Sequence, residues 1–108
     1  MLSQGDIIEF DFSPSQGHEP TGRRPGIVVS SDQFNLSTSM TLVCPVTTTN
    51  SGFPLHLPLP DGLDTRGYIV VEQVRALDME IRRPRLIERL DNEGATMRAV
   101  RECLRSFF

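Results

Sequence analysis

The feature that most constrains this chain is a change of period. Up to about residue 90, apolar residues fall in short strand-like runs broken by proline and glycine, and two of these, Gly5 to Phe12 and Leu55 to Leu59, alternate. Beyond Asp91 they recur every three or four residues. A period of two belongs to half-buried strands and the longer period to an amphipathic helix. The first run, Gly5 to Phe12, puts Ile8, Phe10 and Phe12 on one face and Ile7, Glu9 and Asp11 on the other. Ser13 to Gly22 reads as a long exposed loop, a kind of segment that often carries function. Arg24 to Ser30 predicts a second strand entered through Pro25, and Ser31 to Asn35 the start of a helical turn. Met40 to Thr48 predicts a third strand, followed by a turn-rich loop at Thr49 to Pro54. Leu55 to Leu59 alternates again, with Pro58 suiting a sheet edge. Asp61-Gly62 marks a turn, Tyr68 to Leu77 is the longest strand candidate, and Arg85 to Leu90 forms one more. Asp91 is the expected N-cap of the tail helix. Met97, Val100, Leu104 and Phe107 make its buried stripe, with Arg98, Arg101 and Arg105 on a solvated face. The expectation is a mainly β fold with a C-terminal α-helix: a bent antiparallel barrel of about five to seven short strands closed by that helix.

At 108 residues the chain is expected to form a single domain, 1–108. Its core is modest, so an oligomer interface would add stability. No run approaches the ~18 apolar residues of a membrane span, and no basic-then-apolar leader opens the sequence; the expected location is the cytoplasm, with no membrane partner. Cys44 and Cys103 show no metal-type spacing and read as two buried thiols in a reducing compartment. The net charge of −3 does not mark a nucleic-acid binder, yet all eleven basic residues are arginine. Arginine presents a planar fork suited to phosphate. A genomic preference for arginine codons would produce the same count, so charge carries no RNA claim by itself.

Three segments in order resemble the MazF/PemK toxin family. Gly5-Asp6-Ile7-Ile8-Glu9-Phe10-Asp11-Phe12-Ser13-Pro14, with Gly17-His18-Glu19 and Arg24-Pro25-Gly26-Ile27-Val28-Val29-Ser30, is similar to the family's opening strand, its G-x-E loop and its R-P-x-x-V-x-S strand. Val43-Cys44-Pro45-Val46-Thr47-Thr48 is similar to its P-x-T-T/S strand end, and Glu72-Gln73-Val74-Arg75 to its D/E-Q-V/I-R/K strand. The ordered set is specific where each piece alone is weak. The resemblance implies an SH3-like antiparallel barrel of the MazF/PemK/CcdB kind. It also implies an endoribonuclease toxin that cuts single-stranded RNA within short motifs, leaves a 2′,3′-cyclic phosphate and a 5′-hydroxyl, and so inhibits translation. It implies a homodimer, a cognate antitoxin with an acidic disordered segment, no cofactor and no metal. By position, the family's catalytic arginine maps to Arg24, its catalytic threonine to Thr47 and its loop glutamate to Glu19.

Those residue types suit the chemistry. When a 2′-hydroxyl attacks its neighbouring phosphate, charge builds on the non-bridging oxygens, and a fixed guanidinium stabilises it. Arg24, held extended by Pro25, fits that role; the hydroxyl of Thr47 is able to donate to a phosphate oxygen. Glu19 is able to orient Arg24, hold a base edge or accept a proton. Arginine stays protonated, so a proton acceptor is still needed. His18 stands beside Glu19, where many family members carry a small polar residue, and histidine suits proton transfer. Thr48 adjoins Thr47 at the same strand end, as a further RNA contact. Gln73 offers a base-edge contact or satisfies a neighbouring loop. Phe53 offers a stacking surface or a lid over the barrel. His56, on a predicted edge strand, reads as structural. Two other readings stay open: a CcdB-like gyrase poison without enzymatic activity, and an inactive barrel that binds an antitoxin or nucleic acid. The poison type depends on a C-terminal tryptophan, and this chain has no tryptophan.

Overall fold

A computed structural model describes residues 2–11 and 23–108. The predicted loop Ser13 to Gly22, Phe12, and with them His18 and Glu19, lie outside the described residues. Among the described residues there are seven strands: β1 (Asp6–Asp11), β2 (Arg23–Val28), β3 (Met40–Thr47), β4 (His56–Pro58), β5 (Tyr68–Val70), β6 (Arg75–Asp78) and β7 (Arg85–Arg89). Three α-helices join them: α1 (Asp32–Ser37), α2 (Met79–Arg82) and α3 (Ala95–Arg105). All pairings are antiparallel, in the order β4-β5-β3-β2-β1-β7, with β6 also on β3. The expected mainly β fold with a C-terminal helix is therefore present. Its strand path has two ends, β4 and β7, so the sheet is open rather than a closed barrel. Pro58 does lie on an edge strand, as its missing N–H requires.

Cores lie on both faces of the sheet. On one, α3 packs Met97 and Val100 against Ile7, Ile27, Cys44, Val46, Ile69 and Val71. On the other, Ile8, Phe10, Val28, Val43 and Leu77 form a smaller cluster. Ile7 was expected beside Glu9 and Asp11 on a polar face; it is fully buried, because α3 covers that face.

The predicted long strand Tyr68 to Leu77 is broken by a 3-10 turn, Val71–Gln73. Both flanking strands stay on β3: Val46 pairs with Ile69, and Val43 with Arg75. Three steps along β3 thus face six along the other segment, and the excess is the length of the turn. The helix cap also differs from expectation. Gly94 is the N-cap of α3, while Asp91 shapes the preceding turn, its Oδ1 accepting the Glu93 N–H at 3.0 Å and its carbonyl the Gly94 N–H at 3.0 Å. Phe107 lies beyond the helix and is partly exposed, so the stripe ends at Leu104. Arg101 is not simply solvated: its guanidinium donates to Asn92 Oδ1 at 2.9 Å and Gln4 Oε1 at 3.3 Å, tying α3 to the N-terminal turn.

Candidate functional site

The pairing of β2 with β3 sets Val28 against Val43 and Gly26 against Pro45, where the ladder stops. Two residues further along each strand come Arg24 and Thr47. Alternation keeps Val28, Gly26 and Arg24 on one face of β2, and Val43, Pro45 and Thr47 on the same face of β3. That is the face of the smaller core, since Val28 and Val43 both belong to it. Arg24 sits opposite Phe10 of β1, which fills that core. The two strand ends therefore carry a guanidinium and a hydroxyl on the same face, Arg24 exposed and Thr47 half-buried. Among the described residues, Arg24 has no ion pair and no side-chain hydrogen bond; its neighbour Arg23 is instead held by the Glu9 and Arg83 carbonyls at 2.8 and 3.2 Å.

Thr47 is fixed from two sides. Its Oγ1 accepts the Thr49 N–H at 3.2 Å, which leaves the hydroxyl proton to donate elsewhere. Gly67, at φ +133, runs so close that a Cβ there would stand 2.2 Å from the Thr47 carbonyl oxygen. Only glycine fits such an approach. Sequence reasoning passed over Gly67, although an isolated glycine at the start of a strand is the usual sign of a close backbone contact.

Thr48 follows Thr47 into the loop and is exposed. Phe53 lies on that loop, 47% exposed, and meets the ring of His56 edge-on with centroids 5.2 Å apart. His56 was read as structural, and it is the centre of a hydrogen-bonded chain: its Nδ1 is 2.9 Å from Ser51 Oγ and its Nε2 2.9 Å from Glu72 Oε2. Gln73, next to Glu72, is exposed at the end of the 3-10 turn. Tyr68 pairs with both Thr47 and Pro58, and His56 stands two residues from Pro58 on β4. His56 and Thr47 thus share a sheet face, while Glu19 and His18 lie outside the described residues.

The two thiols do not suit nucleophilic work. Burial pushes the Cys44 thiol up to about 12, helped by the negative fields of Cys103 and Glu72. Cys103, half-buried, is also raised, first by burial and then by Glu72. Among the described residues, no group of three or more His, Cys, Asp and Glu side chains could hold a metal ion. A polar groove of about 510 Å³, lined by Ser3, Gln4, Ser31, Asp32, Gln33 and Asn92, opens at the far end of β2 from Arg24. It gathers no cation, so the strand ends are the better candidate.

A family model described as PemK-like, MazF-like toxin of type II toxin-antitoxin system matches residues 3–108. The endoribonuclease toxin MazF of Escherichia coli K12 is 37% identical over 73 residues, 68% of this chain; the chain spans 65% of that relative's length. The endoribonuclease toxin ChpB of the same strain is 38% identical over 87 residues, covering 75% of this chain and 73% of its own. Among solved structures, MazF of Deinococcus radiodurans superposes with a TM-score of 0.82 at 31% identity, over 98% of this chain and 94% of that one. A MazE–MazF structure from the same organism gives 0.85 at 29% identity, over 98% and 94%. The chain belongs to the family of PemK-like, MazF-like toxins of type II toxin-antitoxin systems.

Proposed function

We propose that this chain is a sequence-selective endoribonuclease toxin, cutting single-stranded RNA to a 2′,3′-cyclic phosphate and a 5′-hydroxyl. The observation that carries the reading is the placement of Arg24, exposed, and Thr47, half-buried, on the same face at the adjoining ends of β2 and β3. Arg24 grips the non-bridging oxygens as negative charge develops on them. Thr47 donates its hydroxyl proton to the same phosphate; the Thr49 N–H holds that hydroxyl, and Gly67 packs against the Thr47 backbone carbonyl. Glu19 and His18 are the candidates for accepting the 2′-hydroxyl proton. Thr48 and Phe53, on the loop after β3, and Gln73, on the 3-10 turn, contact the flanking bases.

The family description supports a cognate antitoxin as partner. An acidic segment laid over Arg24 would mimic phosphate charge and compete with RNA. A homodimer is supported by the adjacent aromatics Phe107 and Phe108, the second fully exposed, which would be a liability on a monomer. Among the described residues no helix is long and apolar enough to cross a membrane; the proposed place of action is the cytoplasm, where the RNA is.

The test is incubation of purified protein with a long RNA in EDTA, beside an all-deoxy strand of the same sequence. The expected result is RNA fragments with cyclic phosphate ends and an intact deoxy strand. Cleavage of the deoxy strand, or its absence from RNA in EDTA, overturns the reading. Intact RNA together with blocked supercoiling by gyrase would point to a poison instead.

A further inference from the structure

We propose that His56 is a positioning residue for base selection, acting by clasping the loop that bears Thr48 and Phe53 to the turn that bears Gln73. The inference rests on the ribonuclease reading and goes beyond it, because that reading gives His56 no role.

The clasp is built from both ring nitrogens. Ser51 lies in the middle of the loop and Glu72 lies on the 3-10 turn, twenty-one positions further along the chain. With Nε2 protonated, the ring donates to Glu72 and accepts the Ser51 hydroxyl; with both nitrogens protonated it donates to each. The backbone supports it: the His56 N–H donates to the Phe53 carbonyl at 3.0 Å, and the Val71 N–H to the Leu55 carbonyl at 3.2 Å. Within the loop, Ser51 Oγ accepts the Phe53 N–H at 3.2 Å and Asn50 Oδ1 the Gly52 N–H at 3.2 Å. The ring of Phe53 is held edge-on to His56 rather than left to rotate in solvent.

Position gives the clasp its use. From Thr47, His56 is two strand spacings across, about 9–10 Å, and two residues along, about 7 Å. That separation places the clasped groups beside the reacting phosphate, at the flanking nucleotide. On the proposed reading, the Phe53 ring on the loop and the Gln73 amide on the turn form a slot for an unpaired base, read by its face and its edge. The slot is sharp only if loop and turn keep their spacing, and His56 is the side chain that spans them.

The experiment compares the parent with His56→Ala, His56→Gln and Ser51→Ala. Each is tested on a pool of short RNAs by end-mapping, with KM and kcat measured on the preferred substrate. Loss of a hydrogen bond to a charged partner is expected to raise KM roughly tenfold and broaden motif choice by a similar factor in His56→Ala, with kcat little changed. His56→Gln, which keeps a donor toward Glu72, is expected to recover part of the selectivity; Ser51→Ala is expected to shift it in the same direction as His56→Ala. Amide exchange at Gly52 and Phe53 is read in parallel and should quicken about tenfold in His56→Ala at unchanged melting temperature. Parental motif choice and KM in a cleaving His56→Ala protein overturn the inference alone. A lost limb in the pH–rate profile with intact selectivity would also overturn it, by making His56 a proton carrier. If the parent cuts no RNA, the ribonuclease reading fails, and the inference, which needs a base to select, fails with it; amide exchange then still tells whether the clasp exists.

Discussion

Gly67→Ala should damage both stability and chemistry, through a single backbone contact. A Cβ at this position stands 2.2 Å from the Thr47 carbonyl oxygen and 2.9 Å from its carbon, where ordinary contacts begin at 3.4 Å. Backbone cannot step aside as a flexible side chain can, so Thr47 must retreat by about 1 Å, a displacement that in an active site costs on the order of 100-fold in rate. The stability cost has three parts. A side chain at φ +133 brings roughly 1–2 kcal/mol of strain. Overpacking adds about 1–3 kcal/mol, and the stiffer unfolded chain returns about 0.4–1 kcal/mol. The net loss is about 2–4 kcal/mol, or roughly 10–25 °C in melting temperature for a domain of this size. Gly62→Ala is the control: it has φ +92 but nothing within 4 Å of the added Cβ. It should pay the strain alone and melt only a few degrees below the parent, with parental cleavage. The assay is calorimetry on both variants, with single-turnover RNA cleavage well below each melting temperature. If Gly67→Ala melts with Gly62→Ala, or cuts RNA at the parental rate, the contact does not hold Thr47 in the way argued.

Three further outcomes are expected. Arg24→Ala should lose roughly 100- to 1000-fold in cleavage rate at every pH, the cost of one preorganised donor. Arg24→Lys should recover little, and both should melt with the parent because Arg24 is exposed; single-turnover kinetics and melts together check this. Glu88 clamps the Asp64–Thr65 turn through two backbone N–H groups, at 3.1 and 2.7 Å. Burial pushes its carboxyl up, but those bonds and the Thr65 side chain outweigh it and hold it below the ordinary 4.5. A depressed folded-state value means the stabilisation is present above the unfolded value and is lost as pH falls through the folded one. The melting-temperature advantage of the parent over Glu88→Gln should therefore be full near neutrality and shrink on acidification below about 4.5; an advantage that grows there would reverse the sign. Sedimentation at micromolar concentration should give twice the 12.1 kDa chain mass, and Phe107→Ser with Phe108→Ser should weaken that species; a parental monomer contradicts the proposed dimer.

Much of the fold was legible because it is written locally. Alternation located β1 and β4, β-rich runs located β2 and β3, and the spacing of Met97, Val100 and Leu104 located α3. What escaped depends on partners distant in sequence. Ile7 looked polar-facing only because α3, some ninety residues later, could not be seen covering it. Val71-Glu72-Gln73-Val74 has strand composition, and nothing local announces that three residues are looped out of register. Asp91 has the right chemistry for a cap and was displaced from that role by a turn ending at Gly94. α2, at four residues, is too short to show a period. The roles expected of Arg24 and Thr47 came from the family resemblance, not from spacing. The Ser51–His56–Glu72 chain joins three separate segments, and no motif could have drawn them together.

The 3-10 turn between β5 and β6 has a consequence for how such a chain diversifies. Val71 anchors it in the core, fully buried, and Glu72 is engaged by His56 at 2.9 Å, while Gln73 holds no place in any ladder. Substitutions at Gln73 escape both the β-propensity and the register constraints that bind its neighbours. On the proposed reading, selection there can follow the ligand with little resistance from folding. Descendants of this sheet could exchange one base preference for another by drift at a single position, the scaffold remaining as it was.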